Sequence, residues 1–318
     1  TSNGVFDGAQ GEITSSANNK YYNNISDTNT QGLIASNYSI PINLLSNKDS
    51  YQFNFITAPG LIDNSSYSSH VSQISTLISN IQNRGDSMII LDTVGYGTNT
   101  SAAVTAASAR NTSYAATYYP WIMAVDPNTG RNVWVPPSTM VPGVYAFNDN
   151  VADPWIAPAG VNRGIIGTAV KAERFLSQTS RDTLYQGKVN PIATFQGSGV
   201  TVFGQKTLQT QKSALDRVNV RRLLIELKSF ISQVADALVF EPNNVTTRNN
   251  FLSQVNPYLQ TVQDRQGLTS FRVVMDETNN TSTVIDNNEL VGAIYLQPTR
   301  TAEFIILDFN VLPTGATF

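Results

Sequence analysis

The chain has 318 residues, a length that suits two domains better than one. Charged residues make up only 14% of it, and uncharged polar residues fill the deficit, with 32 Asn and 61 Ser plus Thr. The net charge of −3 favours neither nucleic acid nor an anionic membrane as a partner. The absence of cysteine excludes disulfides and thiolate chemistry, and a single histidine excludes a multi-histidine metal site. We therefore predict no metal and no cofactor.

The charges are distributed unevenly along the chain. Residues 1–162 hold five Lys or Arg and ten Asp or Glu, whereas residues 163–318 hold fifteen and thirteen. This change predicts a boundary near residue 160, with one α/β domain over 49–160 and a second domain over 161–318. Residues 1–48 are rich in Asn, Ser, Thr and Gly and bury little apolar surface by themselves. We expect them to be a partial or poorly ordered remnant of an outer region.

The predicted elements of the first domain alternate between strands and helices. They are a strand over 51–56, a helix over 71–81, a strand over 88–91, a helix over 100–110 and strands over 119–125 and 133–135. The helix over 71–81 rests on apolar residues at helical spacing and ends at Arg84-Gly85. Because strands and helices alternate, the order predicts an α/β layer with a mainly parallel sheet.

The second domain contains the clearest helix, over about 217–239, with its apolar residues on one face. The other predicted elements are a hairpin turning at Gly197-Ser198-Gly199, a helix over 251–262, and strands over 271–275, 290–296 and 304–311. Pro257 is expected to kink or split its helix. The fold class is thus α/β, with two α/β sandwich domains, the second having helices packed on a mixed or antiparallel sheet.

Candidate catalytic groups are few. His70 follows a serine-rich stretch, but no Gly-x-Ser-x-Gly elbow accompanies it, so we expect a surface histidine near a helix N-terminus. The turn Gly95–Thr98 follows a buried strand, where ligands bind in open α/β sheets, yet it matches no phosphate-binding motif. The alternative function is therefore a nucleotide-binding module or enzyme that uses this turn. The acidic residues at 276–277 and 286–289 are expected to be solvated turn carboxylates.

The long helix carries a basic stripe of Arg217, Arg221 and Lys228. This stripe fits a solvated helix face with an Arg222–Glu226 pair, or a contact with an acidic protein partner; nucleic acid would need a wider basic surface. The abundance of Asn and Thr leaves open a third function, that of a carbohydrate-binding or adhesin-like surface protein.

A series of ordered motifs covers residues 155–318. The segments are Trp155-Ile156-Ala157-Pro158-Ala159-Gly160-Val161-Asn162-Arg163-Gly164, Leu184-Tyr185-Gln186, Val189-Asn190-Pro191-Ile192, Phe203-Gly204-Gln205-Lys206-Thr207, Asp216-Arg217-Val218-Asn219-Val220-Arg221-Arg222-Leu223, Val239-Phe240-Glu241-Pro242-Asn243, Asn279-Asn280-Thr281, Val284-Ile285-Asp286 and Tyr295-Leu296-Gln297-Pro298-Thr299-Arg300. In these segments the chain resembles the contractile tail sheath proteins of bacteriophages. The resemblance is looser over 50–150, where Arg131-Asn132-Val133-Trp134-Val135-Pro136 is similar to the segment before the first motif.

The resemblance implies a non-enzymatic sheath subunit that polymerises around an inner tail tube and contracts. It implies neighbouring sheath subunits, the tube, and a baseplate or tail terminator as partners. The implied location is the virion tail, assembled in the bacterial host cytoplasm. The second domain would face the tube, and terminal segments would add strands to a neighbour's sheet.

The resemblance also assigns roles to residues, in three sets. The interface set is Arg217, Arg221 and Lys228. The strand-exchange edge is Phe304, Ile306, Asp308 and Asn310. The structural motif set is Pro158, Gly160, Asn162, Arg163, Gly164 and Arg222. Family members usually have several hundred residues before this region, so we expect this chain to be a core fragment that is monomeric or weakly associating.

Overall fold

The computed structural model of the chain describes residues 22, 25–30, 33–128 and 130–303. The strands in these ranges are β1 (Asn29–Thr30), β2 (Leu33–Ile34), β3 (Phe55–Ile62), β4 (Met88–Asp92), β5 (Ala115–Tyr119), β6 (Ile122–Val125), β7 (Asn132–Val135), β8 (Ala169–Ala172), β9 (Val189–Phe195), β10 (Gly199–Val202), β11 (Leu268–Val274) and β12 (Ala293–Pro298). The α-helices are α1 (Ser39–Leu44), α2 (Ser68–Arg84), α3 (Thr100–Ser108), α4 (Pro137–Val151), α5 (Gln178–Gln186), α6 (Val218–Asp236), α7 (Val245–Asp264) and α8 (Ser282–Asp286).

The centre of the molecule is a five-stranded sheet in the order β10-β9-β5-β4-β3. The pairs among β9, β5, β4 and β3 are parallel, and only β10 is antiparallel to its neighbour β9. Alternate residues of β4 face opposite sides of the sheet. Ile89 and Leu91 pack with α2 and α3, whereas Met88 and Ile90 pack with α4. The predicted α/β layer with a mainly parallel sheet is therefore confirmed.

The predicted division at residue 160 does not coincide with a break in this sheet. β9 pairs in parallel with β5, with Thr117 opposite Val189, so the chain beyond residue 160 returns to complete the sheet. The distribution of charged residues along the sequence gives no sign of this return, because β9 is largely buried and contains no charged residue. Another apolar core is built around α6 and α7, further along the chain.

The last described layer is built from α6, α7 and the hairpin of β11 and β12. Leu223 and Leu227 of α6 share a core with Val255 and Leu259 of α7, and β11 pairs antiparallel with β12. The predicted arrangement of helices on an antiparallel sheet is thus confirmed, while the predicted strand over 304–311 lies outside the described residues. Pro257 does not split α7, because buried apolar residues before and after it anchor the helix on one continuous core.

Two further elements differ from the sequence-based expectation. The predicted strand over 119–125 is divided into β5 and β6, which belong to different sheets, with a cis peptide bond between Tyr119 and Pro120. Helix α4, which contains Pro137 and Pro142, was not predicted. Pro137 occupies the first helical position, which tolerates proline, and Tyr145 is fully buried against the central sheet. Tertiary packing therefore outweighs the local cost of Pro142.

Candidate functional site

The three predicted interface residues do not form one exposed stripe. Arg217 precedes α6, and its Nε donates to Glu303 Oε1 at 2.7 Å. Arg221 is only 6% exposed, lies over the Tyr114 ring at 4.0 Å and donates to the Ser113 hydroxyl. Burial lowers the pKa of its guanidinium. The expectation that Arg221 contacts a partner through an exposed face is wrong for this structure, since the loop before β5 covers it. Lys228 is exposed.

Arg222 joins α6 to α4. Its Nη2 lies 2.7 Å and 2.5 Å from the two carboxylate oxygens of Asp149, and its guanidinium carbon lies 4.8 Å from the Tyr145 ring centroid. The arginine side chain is 4% exposed and the aspartate 24%. The partner of Arg222 is therefore Asp149, which the sequence did not indicate, and the alternative pair with Glu226 is not formed.

The motif around residue 160 is a loop fastened to β10. Gly160 N donates to Val202 O at 2.9 Å, and Val202 N donates to Gly164 O at 2.7 Å. Gly160 has φ +87°, and a Cβ on Gly164 would lie 2.4 Å from Val202 O. Both positions therefore require glycine, one for its backbone conformation and one for its close approach.

The other predicted members of this motif fall into different environments. Pro158 is buried, Asn162 is exposed, and Arg163 Nε donates to Ala157 O at 3.3 Å. The predicted strand-exchange residues Phe304, Ile306, Asp308 and Asn310 lie outside the described residues.

The backbone of the turn Gly95–Thr98 is hydrogen-bonded to side chains elsewhere in the chain. Gly97 N donates to Glu173 Oε1 at 3.1 Å, and the Tyr119 hydroxyl donates to Thr98 O at 2.6 Å. Two backbone N–H groups of the turn, those of Gly97 and Thr98, are thus bonded within the chain, and the geometry favours a structural turn. Among the described residues, no group of three or more side chains is arranged to bind a metal ion.

Two buried titratable groups were not anticipated. His70 is fully buried rather than on the surface, because its Nδ1 accepts from Ile62 N of β3 at 3.0 Å. Burial lowers its pKa. Asp92, at the end of β4, accepts from Ser138 N at 3.1 Å and from Ser138 Oγ at 2.5 Å. Burial raises the pKa of Asp92 to about 7. These bonds attach α2 and α4 to the sheet, which is a structural use of both groups.

Comparison with protein families accounts for most of the sequence. Residues 35–208 match the family model of the phage tail sheath protein central domain, and residues 210–312 match that of the phage tail sheath C-terminal domain. The chain belongs to the phage tail sheath protein family. The junction of the two sheath models near residue 209 lies between β10 and α6, where the apolar core also changes.

Two similar relatives are tail sheath proteins of characterised phages. The chain is 44% identical to the tail sheath protein of Vibrio phage KVP40 over 193 residues, which are 61% of this chain and 29% of the relative. It is 42% identical to the tail sheath protein of Enterobacteria phage T4 over 187 residues, 59% of this chain and 28% of that protein. The matched part is thus less than a third of these sheath proteins.

Solved structures with the same fold are also sheaths. The sheath complex of an extracellular contractile injection system, PVC, in the contracted state has a TM-score of 0.65 and 27% identity, covering 74% of this chain and 68% of that one. The helical sheath of the anti-feeding prophage in the contracted state has a TM-score of 0.70 and 21% identity, covering 93% of this chain and 82% of that one. In the ranges that the structure describes, no helix has the length and apolar character of a membrane span.

Proposed function

We propose that this chain is a structural subunit of a contractile phage tail sheath that polymerises around the inner tail tube and contracts to drive the tube through the host envelope. The observation that carries the proposal is the succession of the central and C-terminal sheath models over residues 35–312. The likeness to the sheath of an injection system in its contracted state supports it further.

The partners in this proposal are neighbouring sheath subunits, the tube protein, and the baseplate or tail terminator. The product belongs to the virion tail and assembles in the bacterial host cytoplasm. The C-terminal layer of α6 and α7 faces the tube, with Arg217 and Lys228 as contact residues. The chain acts without catalysis and without a nucleotide, because the energy of contraction is stored in subunit packing during assembly.

The fold suits this role because its cores are closely packed and joined through α6, which contributes Val218 and Ile225 to the core of the central sheet. The central sheet is enclosed on both faces by helices, and the α6–α7 layer has its own apolar core. Such closely packed units move as rigid bodies while the contacts between subunits change. The low charge density of the chain also limits repulsion and desolvation costs when many copies pack together.

Immunogold electron microscopy tests the proposal in particles of the source phage. Antibodies raised against the purified chain should label the tail along its whole length in both extended and contracted particles. Antibodies against the phage capsid serve as the matched control and should label only the head. Gold confined to one end of the tail, or to the head, would contradict a sheath subunit.

A further inference from the structure

A basic cavity of about 740 Å³ lies at the start of α6. Three segments surround it: the end of α5 with the start of β9, the stretch 205–220, and residues 298–303. The cationic side chains that line it are Lys188, Lys206, Lys212, Arg217 and Arg300, against the carboxylates of Asp216 and Glu303. We call this feature the α6 cavity.

The cations of the α6 cavity are only partly neutralised. Arg217 pairs with both carboxylates, at 3.0 Å and 2.7 Å. Lys206 Nζ donates to Tyr185 O at 2.7 Å, and its pKa is lowered by burial and by the nearby Arg217 charge. Lys212 and Arg300 are exposed and have no ion-pair partner within the described part of the chain. The cavity therefore retains positive charge at its opening.

Two buried side chains that line the cavity have an amide oxygen without a donor among the described residues. Gln205 is 3% exposed and Asn219 is 5% exposed, and the two oxygens are Gln205 Oε1 and Asn219 Oδ1. Their amide nitrogens are bonded, Gln205 to Glu303 Oε1 at 3.2 Å and Asn219 to Thr301 Oγ1 at 3.3 Å. Buried polar atoms without partners are costly, so a ligand that brings hydrogen-bond donors to these two oxygens would be stabilised by them.

The unneutralised cations and the two amide oxygens together define the chemistry of the ligand. A phosphate or another simple anion would satisfy the cations but offers few donors to two amide oxygens. A peptide with acidic side chains supplies both, since its backbone N–H groups donate while its carboxylates accept. The cavity already holds one such group, because Glu303 accepts from Arg217 and from Gln205.

We propose that the α6 cavity binds an extended acidic peptide segment of a partner protein. Backbone N–H groups of the peptide donate to Gln205 Oε1 and Asn219 Oδ1. Its carboxylates pair with Lys212 and Arg300 at the cavity opening. This contact is separate from the exposed Lys228 face of α6, and its test does not depend on tube formation.

Fluorescence anisotropy of the whole chain with a fluorescein-labelled peptide of alternating Ser and Glu tests the proposal. We expect binding that weakens as salt rises, and no binding of the matching Ser–Gln peptide. The double variant Lys212→Glu, Arg300→Glu should weaken binding about tenfold. The double variant Lys48→Glu, Arg272→Glu changes the net charge equally at exposed positions outside the cavity and should leave the affinity unchanged.

A second peptide tests the amide acceptors. N-methylation of the Glu residues removes backbone donors without changing the charge, and it should weaken binding about tenfold as well. Equal binding of the N-methylated peptide would overturn the proposal. So would an equal loss in both double variants, or displacement of the peptide by inorganic phosphate at matched ionic strength. Circular dichroism of both double variants confirms that the fold is retained.

Discussion

Two buried asparagines illustrate how the central sheet differs from the α6 cavity. Asn190 in β9 donates to Thr117 O and Lys206 O, and its Oδ1 accepts from Lys206 N. Asn219 at the start of α6 donates to Trp155 O and Thr301 Oγ1, but its own oxygen has no partner within the part of the chain that the structure describes. The first asparagine completes a closed core, and the second lies at a surface that a partner would complete. In this fold the sheet supplies rigidity, while the start of α6 supplies contacts.

Among substitutions compared at one pH, removing the link between these regions should have the largest effect. Arg222→Ala deletes one partner of a well-buried ion pair and leaves Asp149 without its counter-charge. We expect a loss of about 3 kcal/mol in the free energy of unfolding, near the low end for buried pairs because Asp149 is partly solvated. Urea unfolding followed by circular dichroism measures it. Lys228→Ala, on the exposed side of the same helix, is the control, and equal losses in the two variants would contradict the account.

The glycine loop on β10 should give the next effect. A methyl group on Gly164 would meet Val202 O and the backbone of Gly160, so Gly164→Ala should cost about 2 kcal/mol through displaced backbone. Gly167 has open space around its Cβ position. Gly167→Ala should therefore change stability by less than about 0.5 kcal/mol. Thermal and urea unfolding of the pair test this, and a neutral Gly164→Ala would show that the loop is not fastened as described.

Asp92 should make the stability of the sheet depend on pH. The pKa of Asp92 is about 7 in the folded chain and 3.8 as the ordinary value. Between these values the unfolded chain has lost the proton that the folded chain keeps. Raising the pH through this window should therefore lower the free energy of unfolding, by at most about 1.4 kcal/mol per pH unit from this group.

Comparing the pH dependence of the unfolding free energy between two variants isolates the contribution of Asp92. Asp92→Asn should remove the decrease between pH 3.8 and about 7, whereas Asp236→Asn, at an exposed position, should retain it. Identical pH profiles for the wild type and Asp92→Asn would contradict the assignment of a protonated Asp92.

The smallest effect on stability is expected at Lys228. Lys228→Glu should lower the free energy of unfolding by less than about 1 kcal/mol, because the side chain is exposed although its Nζ lies beside Gly85 at the C-terminal end of α2. It should nevertheless reduce co-pelleting with tail tubes if the C-terminal layer faces the tube. Arg221→Glu is no substitute as a probe, since it places a carboxylate in a buried site against Tyr114. Unchanged co-pelleting of Lys228→Glu would remove Lys228 from the interface.

Local sequence patterns correctly predicted the elements that have a clear apolar run or a clear helical spacing of apolar residues. The apolar run of β4 and the helical spacing of α2 and α6 indicated an α/β fold correctly. The return of β9 to the central sheet was not predicted, because the pairing of Thr117 with Val189 leaves no local signal. Helix α4 was missed for the opposite reason, since its prolines give a strong local signal that tertiary packing overrides.

The candidate site shows the same division. Helical spacing correctly placed Arg217 and Arg221 near one another along α6, but it does not reveal that the loop before β5 covers Arg221. The α6 cavity was not predicted, because its lysines come from the turn before β9 and the loop after β10 and meet only in the folded chain. The motif glycines were found through family resemblance, and the structure supplies the physical reasons for Gly160 and Gly164.

Cryo-electron microscopy of tails purified from the source phage tests the sheath assignment most directly. The account predicts tubes covered by a helical outer layer into which the central sheet and the α6–α7 layer fit as rigid units, with the C-terminal layer innermost. Tube protein expressed alone provides the bare-tube reference. An outer layer whose density these units do not fit, or one with the C-terminal layer outermost, would contradict it.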